Sequence, residues 1–132
     1  MSTEVVALLK KLLAKYEDRG ILVYTVPTYD EIILLDTVVG TSPVESAPQN
    51  VTNFKFIGFN LKNTQDVSVY VDFLVSANGE DFIPKRSGVE VPPNSVRYAF
   101  MTERTRFVKI RAYTKEPVST GKFECLLQMW SF

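Results

Sequence analysis

The sequence predicts a mainly β protein: an antiparallel β-sandwich of about seven or eight strands with one N-terminal amphipathic α-helix. Three observations carry that reading. Val5, Leu8, Leu9, Leu12, Leu13 and Tyr16 recur at helical spacing, and after Gly20 the pattern turns strand-like to the end. The later apolar runs are short and separated by Gly, Pro and Asn, as antiparallel strands joined by tight connections are. At 132 residues and 45% hydrophobic, the chain suits one domain with its own core. We divide it into a helical segment, 1–20, and a sandwich, 21–132.

Ser2 or Thr3 caps the helix, Glu4 sits near the positive end of its dipole, and Gly20 ends it, which places it over about residues 3–18. Lys10, Lys11 and Lys15 keep the other face wet. The leucine stripe is therefore expected to bury itself, either on the sheet of its own domain or on a neighbouring subunit. Residues 21–26 and 31–39 read as an antiparallel pair turned by Pro27, Thr28, Tyr29 and Asp30. Ile33, Leu35 and Val39 alternate with Ile32, Leu34 and Val38, so both faces of this pair need cover. Residues 40–50, with two prolines and few large side chains, read as a crossover loop.

Strands follow over 52–62 and 67–76. In the second, Val67, Val69, Val71, Phe73 and Val75 point inward, and Ser68, Tyr70, Asp72 and Ser76 outward. Asn78-Gly79 supplies the positive φ values of a tight reversal. Phe82 and Ile83 return before Pro84 stops pairing, and Val89 and Val91 form a short edge piece. Residues 95–102 put Val96, Tyr98 and Phe100 inward, residues 105–114 put Val108, Ile110 and Ala112 inward, and residues 122–130 put Phe123, Cys125, Leu127 and Met129 inward. Strands in this number and spacing suggest two packed sheets, jelly-roll-like in kind.

The chemistry is notable for what is missing. There is no histidine, which removes the commonest general base and the serine and cysteine triads built on it. The acidic pairs Glu17-Asp18, Asp30-Glu31 and Glu80-Asp81 fall in turns or at a helix end, where solvated carboxylates are ordinary. No zinc spacing, calcium loop, phosphate-cradling glycine loop or dinucleotide fingerprint occurs. We expect no enzyme, no catalytic residue, no cofactor and no metal. The single cysteine, Cys125, cannot form an internal disulfide, and its inward position reads as core. With 15 basic and 15 acidic residues the formal charge is zero, which argues against nucleic acid as a partner. Lys10 and Lys11 interrupt the N-terminal apolar stretch, so neither a signal peptide nor a membrane span is expected.

One local bias stands out. Arg97, Arg104, Arg106, Lys109, Arg111 and Lys115 share a short stretch with the single acid Glu103. On its strand Phe107, Lys109, Arg111 and Tyr113 alternate cation and ring on the outward face. Tyr70, Leu74, Met101, Leu126 and Trp130 also fall opposite their strands' core residues. That is much apolar surface for outward faces, and of types enriched at buried contacts.

The runs VYVDFLVSANGEDFIP, VPPNSVRYAF and RFVKIRA, between Val67 and Ala112, resemble the strands of discoidin-type and related jelly-roll modules. The resemblance covers about a third of the chain. It implies a sandwich that binds glycans or surfaces through loops at one end, and for a glycan the aromatic candidates are Tyr70, Tyr113 and Trp130. The layout as a whole, a leading helix on a small cysteine-poor sandwich, is similar to accessory structural subunits of tailed bacteriophage particles, such as decoration, baseplate and attachment proteins. That resemblance implies a virion component acting through protein contacts. The expected partners are further copies of the chain, as a trimer or larger assembly, or a larger protein lattice. Val5, Leu8, Leu9, Leu12 and Leu13, together with Ile32 and Leu34, would supply apolar contact area, while Arg104, Arg106, Lys109 and Arg111 would fix register against acidic groups.

Overall fold

The computed structural model describes residue 7, residues 29–101 and residues 104–131. The helix expected over 3–18, with Val5, Leu8, Leu9, Leu12 and Leu13, and the strand expected over 21–26 lie outside the described residues.

Nine strands run in order: β1 (Tyr29–Thr37), β2 (Val44–Glu45), β3 (Gln49–Asn50), β4 (Phe56–Asn63), β5 (Val69–Ser76), β6 (Ile83–Val91), β7 (Ser95–Met101), β8 (Phe107–Thr114) and β9 (Phe123–Trp130). They form two antiparallel sheets. The first has the order β1-β9-β4-β7; the second has the order β2-β8-β5-β6, with β3 also paired to β8. The inner faces meet in one core, where the rings of Phe59 and Phe73 lie 4.6 Å apart across the sheets. Leu61, Val69, Val71, Ile110, Phe123 and Leu127 are fully buried around them. The alternation read from 105–114 and 122–130 is the alternation observed: Val108, Ile110, Ala112, Phe123, Cys125, Leu127 and Met129 all face the core.

Several expectations are corrected. Tyr29 and Asp30, read as part of a turn, open β1, and the described partner of that strand is β9. A bulge between Ile33 and Leu35 then re-phases β1, so that Leu34 and Leu35 are both buried while Ile33 is left exposed. The stretch 40–50 is not a free loop, since β2 and β3 within it pair with β8 and Ser46 exchanges hydrogen bonds with Ile110. Of Asn78-Gly79 only Gly79 takes positive φ. The Asn78 carboxamide oxygen instead accepts from the N–H groups of Glu80 and Asp81 and shapes a longer connection.

Pro84 does not stop pairing. β6 is one strand at the edge of its sheet, where a missing N–H is tolerated, and it bends at Gly88 with φ 64°. The largest correction concerns β7. Val96, Tyr98 and Phe100 point outward, and Ala99 and Met101 point in. Arg97 shares the phase of Ala99 and Met101, so a period of two favours the opposite orientation; its side chain stays exposed and donates to the Glu90 carbonyl. The choice is made by pairing with β4, where Ala99 lies opposite Phe59 and Met101 opposite Ile57, both core residues. The small Ala99 leaves Phe59 its space in the interior.

Buried polar groups in the interior are well partnered. Gln65 donates through Nε2 to the Val39 carbonyl and accepts at Oε1 from the Val39 N–H, acting as a short length of strand. Asn63 donates to the carbonyls of Val67, Val91 and Pro92 and accepts from the Gln65 N–H.

Candidate interaction face

The outer side of the first sheet is set by register, row by row across its strands. Tyr29, Trp130 and Phe56 form one row, and Glu31, Gln128, Gly58 and Phe100 the next. Ile33, Leu126, Asn60 and Tyr98 form a third, and Asp36, Glu124, Lys62 and Val96 the last. Alternation on four neighbouring strands thus gathers eight large apolar side chains on one surface. Ile33 is 66% exposed, Val96 62% and Phe100 61%. A depression of about 360 Å³ runs between Ile33, Asn60, Val96 and Leu126.

Gly58 explains how the rings sit. A Cβ at that position would lie 3.1 Å from the Tyr98 ring and 3.4 Å from the rings of Phe100 and Trp130. The three aromatics lean over bare backbone, which only glycine leaves free. Tyr98 and Phe100 are 4.9 Å apart, Phe100 and Trp130 6.5 Å, and Tyr29 and Trp130 5.4 Å. Gln128 donates through Nε2 to the Tyr29 hydroxyl, which donates to Glu31 and holds the Tyr29 phenol above its ordinary pKa. Loss of water contact and then the Glu31 charge raise Tyr98 likewise. The oxygens Asn60 Oδ1 and Gln128 Oε1 are shut from solvent and accept no hydrogen bond from the described residues. At the last row Lys122 bridges Asp36 at 2.9 Å and Glu124 at 3.1 Å.

The outer side of the second sheet is built differently. Tyr70 and Tyr113 stack at 5.8 Å, the Lys115 ammonium lies 4.2 Å from the Tyr70 ring centre, and the Tyr70 hydroxyl donates to Glu90. Lys109 pairs with Glu45 at 3.0 Å and covers the Phe82 ring. Arg111 pairs at 3.2 Å with Asp72, which also accepts from the Gly88 N–H. The cation and ring stripe therefore has its partners within the same subunit.

The predicted site residues disperse accordingly. Ile32 and Leu34 face the interior rather than a free surface. Met101, read as outward, is core. Trp130 lies on one sheet and Tyr70 and Tyr113 on the other, so the three are not brought into one glycan site. Arg104 and Arg106 are exposed at one end of the sandwich. Of the eight residues that form the apolar face, Leu126 and Trp130 are among those read from the sequence as outward apolar surface, whereas Ile33, Phe56, Val96, Tyr98 and Phe100 were not named as contact residues. The available signal was the doubly apolar pattern of 98–101. Cys125 is buried, and burial pushes its thiol pKa up, out of reach of reaction in the folded chain. Among the described residues no helix is long and apolar enough to cross a membrane, and no cluster of acids and cysteine is placed to hold a metal ion.

No protein-family model matches the chain, and no curated protein matches it in sequence. Solved structures do share its fold. The PBSX exported protein XepA aligns with a TM-score of 0.62 at 11% identity over 76% of this chain, a span that covers 36% of XepA. The SPBc2 prophage-derived protein YomS aligns at 0.58 with 20% identity, over 83% of this chain and 99% of its own. A chain from the disulfide-linked pili of Bacillus endospore appendages aligns at 0.56 with 13% identity, over 82% of this chain and 90% of its own. The architecture is thus a two-sheet antiparallel β-fold found in prophage-derived and pilus proteins, and at these identities the likeness is one of fold.

Proposed function

We propose that this chain is a non-enzymatic structural subunit of a phage-type particle, which joins further copies of itself, as a trimer or larger, through the outer face of the first sheet. The observation that carries the reading is that face: eight large apolar side chains gathered on one outward surface, six of them exposed. Four strands about 4.8 Å apart and four rows about 6.8 Å apart give roughly 500 Å² per copy. A standard contact takes about 800 Å² per partner, and the remaining area is supplied by the helical stripe of Val5, Leu8, Leu9, Leu12 and Leu13. A second copy is favoured as the occupant because a fold neighbour assembles into pili, and the charged end of the face, where Lys122 bridges Asp36 and Glu124, is balanced within the subunit and adds no like-charge repulsion.

The strand order supports the jelly-roll form of the fold. With β2 and β3 counted as one interrupted strand, the sheets hold alternate members of two interleaved Greek keys. The fold neighbours from prophage and pilus proteins favour an assembly role in a virion or appendage. Unlike those disulfide-linked pili, copies of this chain would associate without a covalent link, since Cys125 is inside the core.

Light scattering over a dilution series tests the proposal. The wild-type chain should exceed monomer mass and fall toward it on dilution, while Tyr98→Ser with Phe100→Ser should be monomeric at the same melting temperature. A wild-type chain that is monomeric at about 1 mM, far above any useful affinity, overturns it. So does a chain lacking residues 1–18 that melts lower and associates more, because the chain's own N-terminal segment would then be the cover.

A further inference from the structure

We infer that the open end of the sandwich, between β6 and residues 104–106, is a binding cleft for a small organic anion with an aliphatic body, a short-chain phosphate or carboxylate. Among the described residues nothing caps the interior there. Ile83 pairs with Val75 on the core side of its strand, yet Ile83 stays 63% exposed and Val75 is only half-buried. The space over them is a cleft of about 580 Å³, a volume ordinary for small-molecule sites.

Three cations ring this aliphatic floor: Lys85 from β6, and Arg104 and Arg106 from the opposite wall. None of the three has a carboxylate partner among the described residues. Asp81, the acid lining the cleft, has its Oδ2 occupied by the Asn78 carboxamide at 2.8 Å. This distinguishes the end cleft from the stripe on β8, where Lys109 and Arg111 have Glu45 and Asp72.

The arginine wall is held in place. Between the two arginines, Thr105 donates from its hydroxyl to the Ser76 carbonyl at 3.2 Å and the Phe107 carbonyl at 3.1 Å, and the Val51 N–H donates to the Arg106 carbonyl at 2.8 Å. The backbone on either side is thus fixed before any ligand arrives, which lowers the cost of binding.

The chemistry selects the ligand. Guanidinium groups grip phosphate and carboxylate through paired N–H donors, and the Val75 and Ile83 floor rewards an aliphatic body. Among the described residues no aromatic ring lines the cleft, which disfavours the stacking that nucleic-acid bases and sugar faces use. The edge of β6 is guarded by Pro84, Lys85 and the bend at Gly88, so an added peptide strand is disfavoured.

Calorimetric titration of the full chain with hexyl phosphate, hexanoate, inorganic phosphate and hexanol tests the inference. Hexyl phosphate or hexanoate should bind saturably, the tighter of the two naming the head group, and inorganic phosphate and hexanol should bind at least about tenfold more weakly. Arg104→Ser with Arg106→Ser should weaken binding at least about tenfold at an unchanged melting temperature, while Lys115→Ser, on the other stripe, should leave it intact. Absence of saturable binding by both hexyl ligands overturns the inference. So does binding that survives the double substitution, or inorganic phosphate that binds as tightly as hexyl phosphate. The oligomeric state plays no part in this readout, so its failure is separate from failure of the assembly proposal.

Discussion

The two outer faces of the sandwich are made by the same alternation of side chains and come out opposite in character. On the second sheet each described cation of β8 meets an acid or a ring of its own subunit: Lys109 with Glu45 and Phe82, Arg111 with Asp72. On the first sheet the rings gather over Gly58, and Asn60 and Gln128 each keep an oxygen without a donor among the described residues. A face whose polar groups are satisfied within the subunit can stay in water at no further cost. A face with large apolar area left in water gains free energy from being covered. The difference teaches that outward position alone does not mark a contact surface; what marks it is apolar area that the subunit's own charged stems do not cover.

The largest effect should come from breaking the satisfied face. Asp72 is 8% exposed in its side chain and serves both Arg111 and the Gly88 N–H at the bend of β6. Replacing it in Asp72→Ala removes the acceptor of the Gly88 N–H and frees an arginine that is half in solvent. The expected cost is about 2 kcal/mol, within the range for hydrogen bonds to charged groups. Chemical denaturation measures it, and the mass by light scattering should not change. If association falls while stability holds, the roles of the two faces are reversed.

How much of this contrast could be read from the sequence depended on whether one face of a strand was clearly polar. On β8, Lys109 and Arg111 alternate with Val108, Ile110 and Ala112, and the reading was right because hydration costs leave only one orientation. On β7 the competing sets are Val96, Tyr98 and Phe100 against Arg97, Ala99 and Met101, and the arginine makes the local pattern favour the rings as the inward set. Their orientation is decided by pairing with β4, a contact between residues roughly forty positions apart, which no local pattern contains. The bulge in β1 is similar, because one extra residue turns both Leu34 and Leu35 inward and leaves Ile33 and Leu35 on opposite faces, without any mark in the composition. The cations at 104 and 106 were legible as charge, but Lys85, which completes the end cleft, arrives from another strand through the fold alone.

A smaller effect should sharpen the apolar face. Asn60 lies between Leu126 and Tyr98 in its row, with Oδ1 buried and unpartnered among the described residues. Asn60→Val removes that acceptor at similar size. In dilute solution the free subunit should be unchanged or up to about 1 kcal/mol more stable, since an unmet desolvation cost disappears. At high concentration the same variant should associate at least as well, because the oxygen lies beyond a partner's reach and valine adds apolar area to the row. Thermal melts at low concentration and light scattering at high concentration give the two readings. A variant that loses monomer stability shows that the oxygen is satisfied inside the subunit, and one that associates more weakly weakens the contrast between the faces.

The smallest effect concerns the joint that keeps both faces on one frame. Asp66, in the connection from β4 to β5, accepts from the N–H groups of Ser119 and Thr120 in the connection from β8 to β9. Those hydrogen bonds, Ser119 first, hold its carboxyl below the usual carboxylate range. A carboxyl with a folded pKa below its unfolded one stabilises the fold fully above the unfolded value, and that contribution is lost as pH falls through the folded value. Wild type should therefore lose stability as the solution is acidified through the carboxylate range. Asp66→Asn keeps an oxygen acceptor without the titration, so its stability should be lower near neutrality and flatter toward acid. Denaturant midpoints across that range measure the slope. Because the joint belongs to neither outer face, association and anion binding should follow the wild type at neutral pH, and a variant that shifted either one would mean that the faces are coupled through this corner rather than independent.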